Sequence, residues 1–501
     1  MQYGFWSVVP PILTIVLALV TKNVFFSLLI GIFTSSMVLC GGAPLTGLND
    51  AFYSFIHTFE SSGNTITLIS FLLIGALIFL IEKSGGVEGF TEVMLKKRAL
   101  IKTKRGANIF TWLLGIIIFT SGSLSCMVTG SRPFNDALKV PHEKSAFIVH
   151  ATSTPWCVLF PLSGWLAALA GYLTSGGVPE NEAISVLLRS IPLNFYCILA
   201  VFGTLAVSLF GINIGPMRKA EERAEKTGAL DNPGRGGTLT EETMSPSKAK
   251  PRVLNMLLPM GVLIATILAV LTITGKGNPT QGAGMQSLLW GCILAVVTIC
   301  ILCVAQKLFS VDEVINEMFK GMGTMLPVAG ILLFGFTMGN LVKDLDTGNY
   351  LTSVFMGVLS PALLPALSFL LCMLLSFATG TSMGTMAIMS VICLPMAISM
   401  GISIPLVAGA VFGGAIFGDH ASPISDTTIL SSAGAKCNHL RHVATQIPYA
   451  TLVMIACFIC YIVAGFTGNP WISLALGVVI IVVAVITLHK LNFGVKKGET
   501  A

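Results

Sequence analysis

Apolar runs of about twenty residues recur along the chain, which is long enough for an α-helix to cross the ~30 Å hydrocarbon core of a bilayer. The clean runs are residues 5–21, 24–40, 65–82, 189–212, 253–273, 285–305, 323–342, 442–465 and 470–489. Four further stretches carry the same apolar character but are interrupted. Residues 107–139 break at Phe119-Thr120-Ser121-Gly122-Ser123, and residues 350–400 break at Phe377-Ala378-Thr379-Gly380-Thr381-Ser382. Residues 145–174 break at Thr152-Ser153-Thr154-Pro155, and residues 403–432 break at Ser422-Pro423. The order repeats in the two halves: span, short amphipathic segment, span, interrupted hairpin, interrupted span, span. The pattern predicts an all-α polytopic membrane protein with about eleven spans, two re-entrant hairpins and two broken helices.

One long polar segment, 216–252, separates a first half (1–215) from a second (253–501) and reads as a solvated connection. Its eight Lys/Arg, and the seven between Lys83 and Arg105, contrast with none in 41–64 and 176–188. The excess of positive charge on cytoplasmic loops places the two basic segments inside. The N-terminus then lies outside, and the C-terminus, with Lys490, Lys496 and Lys497, lies inside. This orientation gives the two copies of the series opposite directions. Paired, interrupted helices in an inverted repeat are the best sequence pointer to a transporter's binding site. Free helix ends carry unpaired N–H or C=O groups, tolerated in a membrane only against protein or a water-filled cavity.

Composition narrows the class. The chain of 501 residues is 54% hydrophobic and 10% charged, against roughly 25% charged in soluble domains. No segment is long enough for a sizeable soluble domain, and no phosphate-binding Gly-x-x-x-x-Gly-Lys-Ser/Thr loop is present. An ATP-driven pump and a tethered enzyme are disfavoured, and secondary transport fits. The cysteines in Cys300-x-x-Cys303 and Cys457-x-x-Cys460 sit in apolar spans without zinc-spaced partners and read as small hydrophobes. The net charge of +6 is accounted for by the basic loops and calls for no nucleic acid.

Within this setting Gly418-Asp419-His420-Ala421-Ser422-Pro423-Ile424-Ser425-Asp426-Thr427-Thr428 is the most polar break. An ionisable group at bilayer depth costs at least ~2.5–3.5 kcal/mol, so such groups persist mainly along ion or substrate paths. Hard cations such as Na+ take oxygen ligands. Asp419 and Asp426, with Ser422, Ser425, Thr427 and Thr428, supply them around the helix break at Pro423. A carboxylate that holds either Na+ or H+, never both, gives obligatory exchange. The same hydroxyls also suit helix capping. The tips Thr379-Gly380-Thr381-Ser382 and Ser121-Gly122-Ser123, together with His150, Thr152, Ser153 and Thr154, read as lining the path, whether for a cation or a carboxylate solute. His150 suits a proton relay or a packed histidine equally. Asp136 reads as a surface ion pair with Arg132 or Lys139, Glu82 as interfacial, and His420, His439 and His442 as lying toward the inner face.

The segment 418–430 resembles the signature of the NhaC family of Na+/H+ antiporters. So do Cys437-Asn438-His439, Gln446-Ile447-Pro448-Tyr449, Arg132-Pro133, Cys157 to Trp165, Thr379 to Ser382, and Gly215-Pro216-Met217. The resemblance implies an ion-transporter fold with inverted repeats, Na+ or Li+ exchanged for H+ across the cytoplasmic membrane, and no cofactor. It leaves a homodimer open. The family also includes exchangers of small organic acids such as malate and lactate, the alternative reading here. One departure stands out: the family pattern places an Asp in the first-half segment where this chain has His150.

Overall fold

The computed structural model describes residues 3–95, 101–117, 131–132, 134–160, 163, 165–231, 250–278, 282–355 and 360–490. The predicted tip Ser121-Gly122-Ser123 lies outside the described residues. In chain order the helices are α1 (Val9–Thr21), α2 (Val24–Leu39), α3 (Pro44–Glu60), α4 (Ser62–Lys83), α5 (Gly86–Leu95) and α6 (Lys104–Ile117). Then come α7 (His142–Leu159), α8 (Leu166–Ser175), α9 (Ala183–Ser190), α10 (Phe195–Phe210) and α11 (Pro216–Thr227). The second half holds α12 (Leu254–Thr274), α13 (Gly284–Ala305), α14 (Val311–Thr324), α15 (Leu326–Asp344) and α16 (Thr347–Phe355). It ends with α17 (Leu364–Thr379), α18 (Ser382–Met400), α19 (Ile404–Ala421), α20 (Asp426–Ala435), α21 (His439–Thr467) and α22 (Pro470–Lys490).

Among the described residues nine helices are long and apolar enough to cross a membrane, or up to eleven when each of two bent pairs is one span. The bent pairs are Val24–Leu39 with Pro44–Glu60 (119°) and Ala183–Leu193 with Phe195–Phe210 (48°). The architecture is the predicted all-helical, polytopic one. In the second half α17 and α18 meet at the predicted tip and α19 and α20 at the predicted break; the interruption of the first-half hairpin lies outside the described residues.

Chain ends and polar caps set the element boundaries. Asn23, Asn194 and Thr381 each accept a backbone N–H from the first turn of the helix they precede, and Ser310 with Glu313 forms a full capping box. Burial is graded across the bundle. In α12 and α22 only 22% of the span is buried, whereas in α19 it is 89%. Trp290, Ile301 and Trp471 point outward from the peripheral helices, as a lipid-facing surface requires. The centre is α19 with α7, α17, α18 and α20.

The structure departs from the sequence reading at two places. The first interrupted span does not break at Thr152-Ser153-Thr154-Pro155. The helix runs through Pro155 to Leu159, and the chain turns extended at Phe160 before restarting at Leu166. Proline removes one hydrogen bond of the ladder. Here sixteen of the eighteen residues of α7 are buried, so packing on all sides holds the helix past that gap. The segment 216–252 also differs from a solvated connection. Its first part is helix α11, which buries Met217, Ala220, Glu221 and Ala224.

Candidate functional site

Ser422-Pro423-Ile424-Ser425 separates α19 from α20, where the sequence placed the second break. Pro423 cannot donate an N–H, and Ser425 caps α20 by accepting the Thr428 N–H. The hairpin tip packs on this break. Gly380 ends α17 in a left-handed conformation (φ +71°), and a Cβ there would come within 2.7 Å of Ile424 Cγ1. Gly418 permits a second close approach, since a Cβ would lie 2.6 Å from the Ser376 carbonyl carbon. Ser376 Oγ joins the helices by donating to the Ala415 carbonyl at 2.6 Å.

Asp419 is fully buried at the end of α19. Ser425 Oγ donates to its Oδ1 at 2.7 Å, and Thr427 Oγ1 donates to its Oδ2 at 2.5 Å. The two hydroxyls are 2.9 Å apart. Thr428 is also buried, but its hydroxyl turns to the carbonyls of Asp419 and Ser422, each at 3.2 Å, and acts as a cap. His150 Nε2 lies 3.8 Å from Asp419 Oδ2. An ionised carboxylate so placed, with hydroxyls rather than Lys or Arg as partners, calls for a proton or a bound cation.

Asp426 is the first residue of α20 and exposed, and its Oδ1 accepts the Thr427 backbone N–H at 2.9 Å. The Ser422 side chain accepts the Ile424 N–H at 3.4 Å, and the Pro423 carbonyl accepts from His439. Thr379 bonds back to the Leu375 carbonyl, Thr381 caps α18, and Ser382 is buried beside it. Thr152, Ser153 and Thr154 are buried on α7 with hydroxyls that meet no hydrogen-bonding partner.

Beyond Asp419 lies a set of groups that joins the path-lining His150 to the histidines the sequence reading set toward the inner face. His150 Nε2 is 3.0 Å from Thr427 Oγ1, and its Nδ1 receives the Gln446 amide at 2.9 Å. The same Gln446 nitrogen donates to the His420 carbonyl at 2.7 Å, while Gln446 Oε1 lies 3.0 Å from His442 Nε2. His442 Nδ1 is 2.8 Å from Ser432 Oγ, which is 3.3 Å from His439 Nδ1. Tyr196 OH is 3.1 Å from His420 Nδ1. The spacing of 439, 442 and 446, one helical face in steps of three and four, was the available signal.

A second polar cluster joins α7 to α11. Lys144, 2% exposed, meets Glu221 at 2.5 Å and Asn213 at 3.0 Å. Arg223 grips Glu143 with two nitrogens at 2.9 and 2.8 Å. Asp231 receives the Asn438 N–H at 3.2 Å. Asp136 pairs with Arg132 at 4.0 Å, as the sequence suggested, and also with His142 at 3.1 Å.

Comparison with known proteins gives a consistent picture. The model of the Na+/H+ antiporter family matches residues 156–466. An uncharacterized protein of Haemophilus influenzae is 32% identical over 509 residues, spanning 97% of this chain and 95% of that one. A "Malate-2H(+)/Na(+)-lactate antiporter" of Bacillus subtilis is 30% identical over 161 residues, 32% of this chain and 34% of that one. The Na(+)/H(+) antiporter NhaC of Alkalihalophilus pseudofirmus is 33% identical over 137 residues, 26% of this chain and 28% of that one. Among solved structures, the Alcanivorax borkumensis YdaH transporter aligns with a TM-score of 0.59 at 15% identity, covering 85% of this chain and 90% of that one, a likeness of fold.

Proposed function

Because the chain belongs to the Na+/H+ antiporter family, we propose that it is a secondary antiporter exchanging Na+ or Li+ for H+ across the cytoplasmic membrane by alternating access. The observation that carries this reading is the environment of Asp419: fully buried, with two hydroxyl donors on its carboxylate. Protonated, the carboxyl is neutral and suits the apolar interior. Deprotonated, it supplies a charged oxygen ligand, and Ser425 and Thr427 turn their lone pairs toward the cation. The carboxyl holds one positive charge in either state, so neither species needs to cross with an empty site. The exchange is transport, not catalysis.

The repeated series supplies the moving parts of this reading. The loop charges place the N-terminus outside and the C-terminus inside, so the two copies run in opposite senses. The tip at Gly380 rests on Ile424, one residue before Ser425, and motion of this hairpin reaches the cation site directly.

A second reading, ion-coupled exchange of small organic acids or amino acids, is favoured by the partnerless hydroxyls of Thr152, Ser153 and Thr154 and by the partial likeness to the malate/lactate antiporter. One experiment separates the two. Purified protein is sealed in liposomes with an internal pH dye and a pH gradient. Na+, Li+ or K+ is added alone, then with malate, lactate or amino acids. Collapse of the gradient by Na+ or Li+ alone, lost in Asp419→Asn, is the expected result. A response that appears only with an organic solute supports the second reading. Undiminished exchange in Asp419→Asn removes Asp419 from the mechanism.

A further inference from the structure

The direction of each hydrogen bond around Gln446 can be worked out from chemistry alone. The His420 carbonyl only accepts, so the Gln446 atom 2.7 Å from it is the amide nitrogen. The other N–H of that amide points at His150 Nδ1, which must therefore be the unprotonated nitrogen. His150 Nε2 then carries the hydrogen and donates to Thr427, whose own hydroxyl donates to Asp419. On the far side Gln446 Oε1 accepts, so His442 Nε2 carries a hydrogen and, in the neutral ring, Nδ1 is an acceptor facing Ser432.

Ser432 has one hydrogen and three claims on it. They are His442 Nδ1 at 2.8 Å, His439 Nδ1 at 3.3 Å and the Thr428 carbonyl at 2.7 Å. His439 Nε2 is 2.6 Å from the Pro423 carbonyl, so that nitrogen holds the hydrogen of the neutral ring. With both rings neutral, Ser432 satisfies only one claim. A proton added to His439 Nδ1 changes the count. His439 then donates to Ser432, two claims remain in place of three, and when Ser432 donates to His442 every link points one way. The sequence runs His439, Ser432, His442, Gln446, His150, Thr427, Asp419, with the positive end of each dipole toward the carboxylate. The Gln446 amide prevents reversal, because the His420 carbonyl fixes its orientation.

We propose that half-buried His439 is a second proton-binding site, coupled through this one-way chain to the charge on Asp419. The inference rests on Asp419 as the charged centre of the transport reading. Protonated His439 stabilises the ionised carboxylate, and a cation at Asp419 removes that stabilisation, so proton and cation oppose each other across the chain. Coupling of this kind is reciprocal. His439 stands at the first turn of α21. Arg441 on the same helix and Lys436 before it add positive charge nearby, and His442 is the neutral link already described. From the packed elements His420 of α19 and His150 of α7 reach this region through Gln446, Asp419 through Thr427, and Asp231 holds the Asn438 N–H one residue away.

The test uses the full-length protein, labelled with 15N-histidine, in lipid nanodiscs with K+ as the only alkali cation. The chain has seven histidines, and the signal lost in His439→Gln identifies this ring. Its proton affinity is measured in the unaltered protein, in Asp419→Asn, in Ser432→Ala and in the double variant. We expect Asp419→Asn to lower the affinity about fivefold, the low end of typical coupling. In the Ser432→Ala background the same change should have no further effect, and Ser432→Thr should restore it. Gln446→Leu, which cuts the chain elsewhere, should act like Ser432→Ala. An affinity indifferent to Asp419→Asn overturns the proposal, as does an equal response with and without Ser432. Neither Na+ nor transport enters the measurement, so its failure is distinct from failure of the antiport reading.

Discussion

Gly418→Ala tests whether the contact between hairpin and broken helix positions the site. A Cβ at this position would lie well within 3.0 Å of three atoms: Ser376 Cβ, the Phe377 nitrogen and the Ser376 carbonyl carbon. Ordinary carbon contacts settle at about 3.5–4.0 Å, so α17 and α19 must separate by roughly 1 Å. Two of the three atoms are backbone, and no side-chain rotation relieves the clash. Overpacking costs about 1–3 kcal/mol, and this site belongs near the upper end. The separation also lengthens the Ser376–Ala415 bond and lifts the Gly380 tip from Ile424. A shift of ~1 Å near a reacting centre can lower a rate about 100-fold. Thermal unfolding in detergent should show a lower midpoint, and the liposome assay should show exchange reduced by about that factor. Gly203→Ala is the control, because a Cβ there meets nothing within 4 Å, and in a helix it should be neutral or stabilising by up to ~1 kcal/mol. Unchanged melting and unchanged exchange in Gly418→Ala would refute the reasoning.

Asp426→Asn should weaken Na+ activation several-fold but leave exchange measurable, since Asp426 is exposed and bonds its neighbour's N–H; complete loss would place it in the ion shell. His150→Asp sets a second carboxylate beside Asp419, and the variant should melt at a temperature that rises with Na+. A midpoint insensitive to Na+ counts against a cation at this position. Lys144→Met leaves Glu221 short of one buried partner, and breaking such a pair costs about 3–5 kcal/mol. The double variant with Glu221→Gln should regain part of that stability in the same melting assay, and no recovery would show that the two residues act separately.

Much of the fold was legible because lipid imposes a length on every span, and the repeated series followed from where that length was interrupted. The second break was readable since Pro423 sits among short polar residues that cap helices. Pro155 misled for a related reason: a proline weakens a helix, but the surroundings of α7 decide whether it ends there, and those come from distant chain segments. The site was half legible. Asp419 and its hydroxyls are close in sequence, whereas His150 and Gln446 are 296 residues apart. Nothing local announces that pairing. The adjacent charges Glu143-Lys144 gave no hint that their partners lie on α11.

Helix α11 bears on how the molecule can be divided. It follows the first half in sequence, yet Glu221 and Arg223 clasp Glu143 and Lys144, and Asp231 reaches Asn438 of the second half. A cut at residue 215 would strand buried charges on both sides of the nick. A cut between 231 and 250 leaves every one of these pairs on the piece that needs it, apart from the single Asp231–Asn438 bond. Two polypeptides ending and starting there, made together in one membrane, are the pair able to find each other and reassemble. The first of the two pieces therefore runs on through α11 to residue 231, past the point where the polar stretch begins.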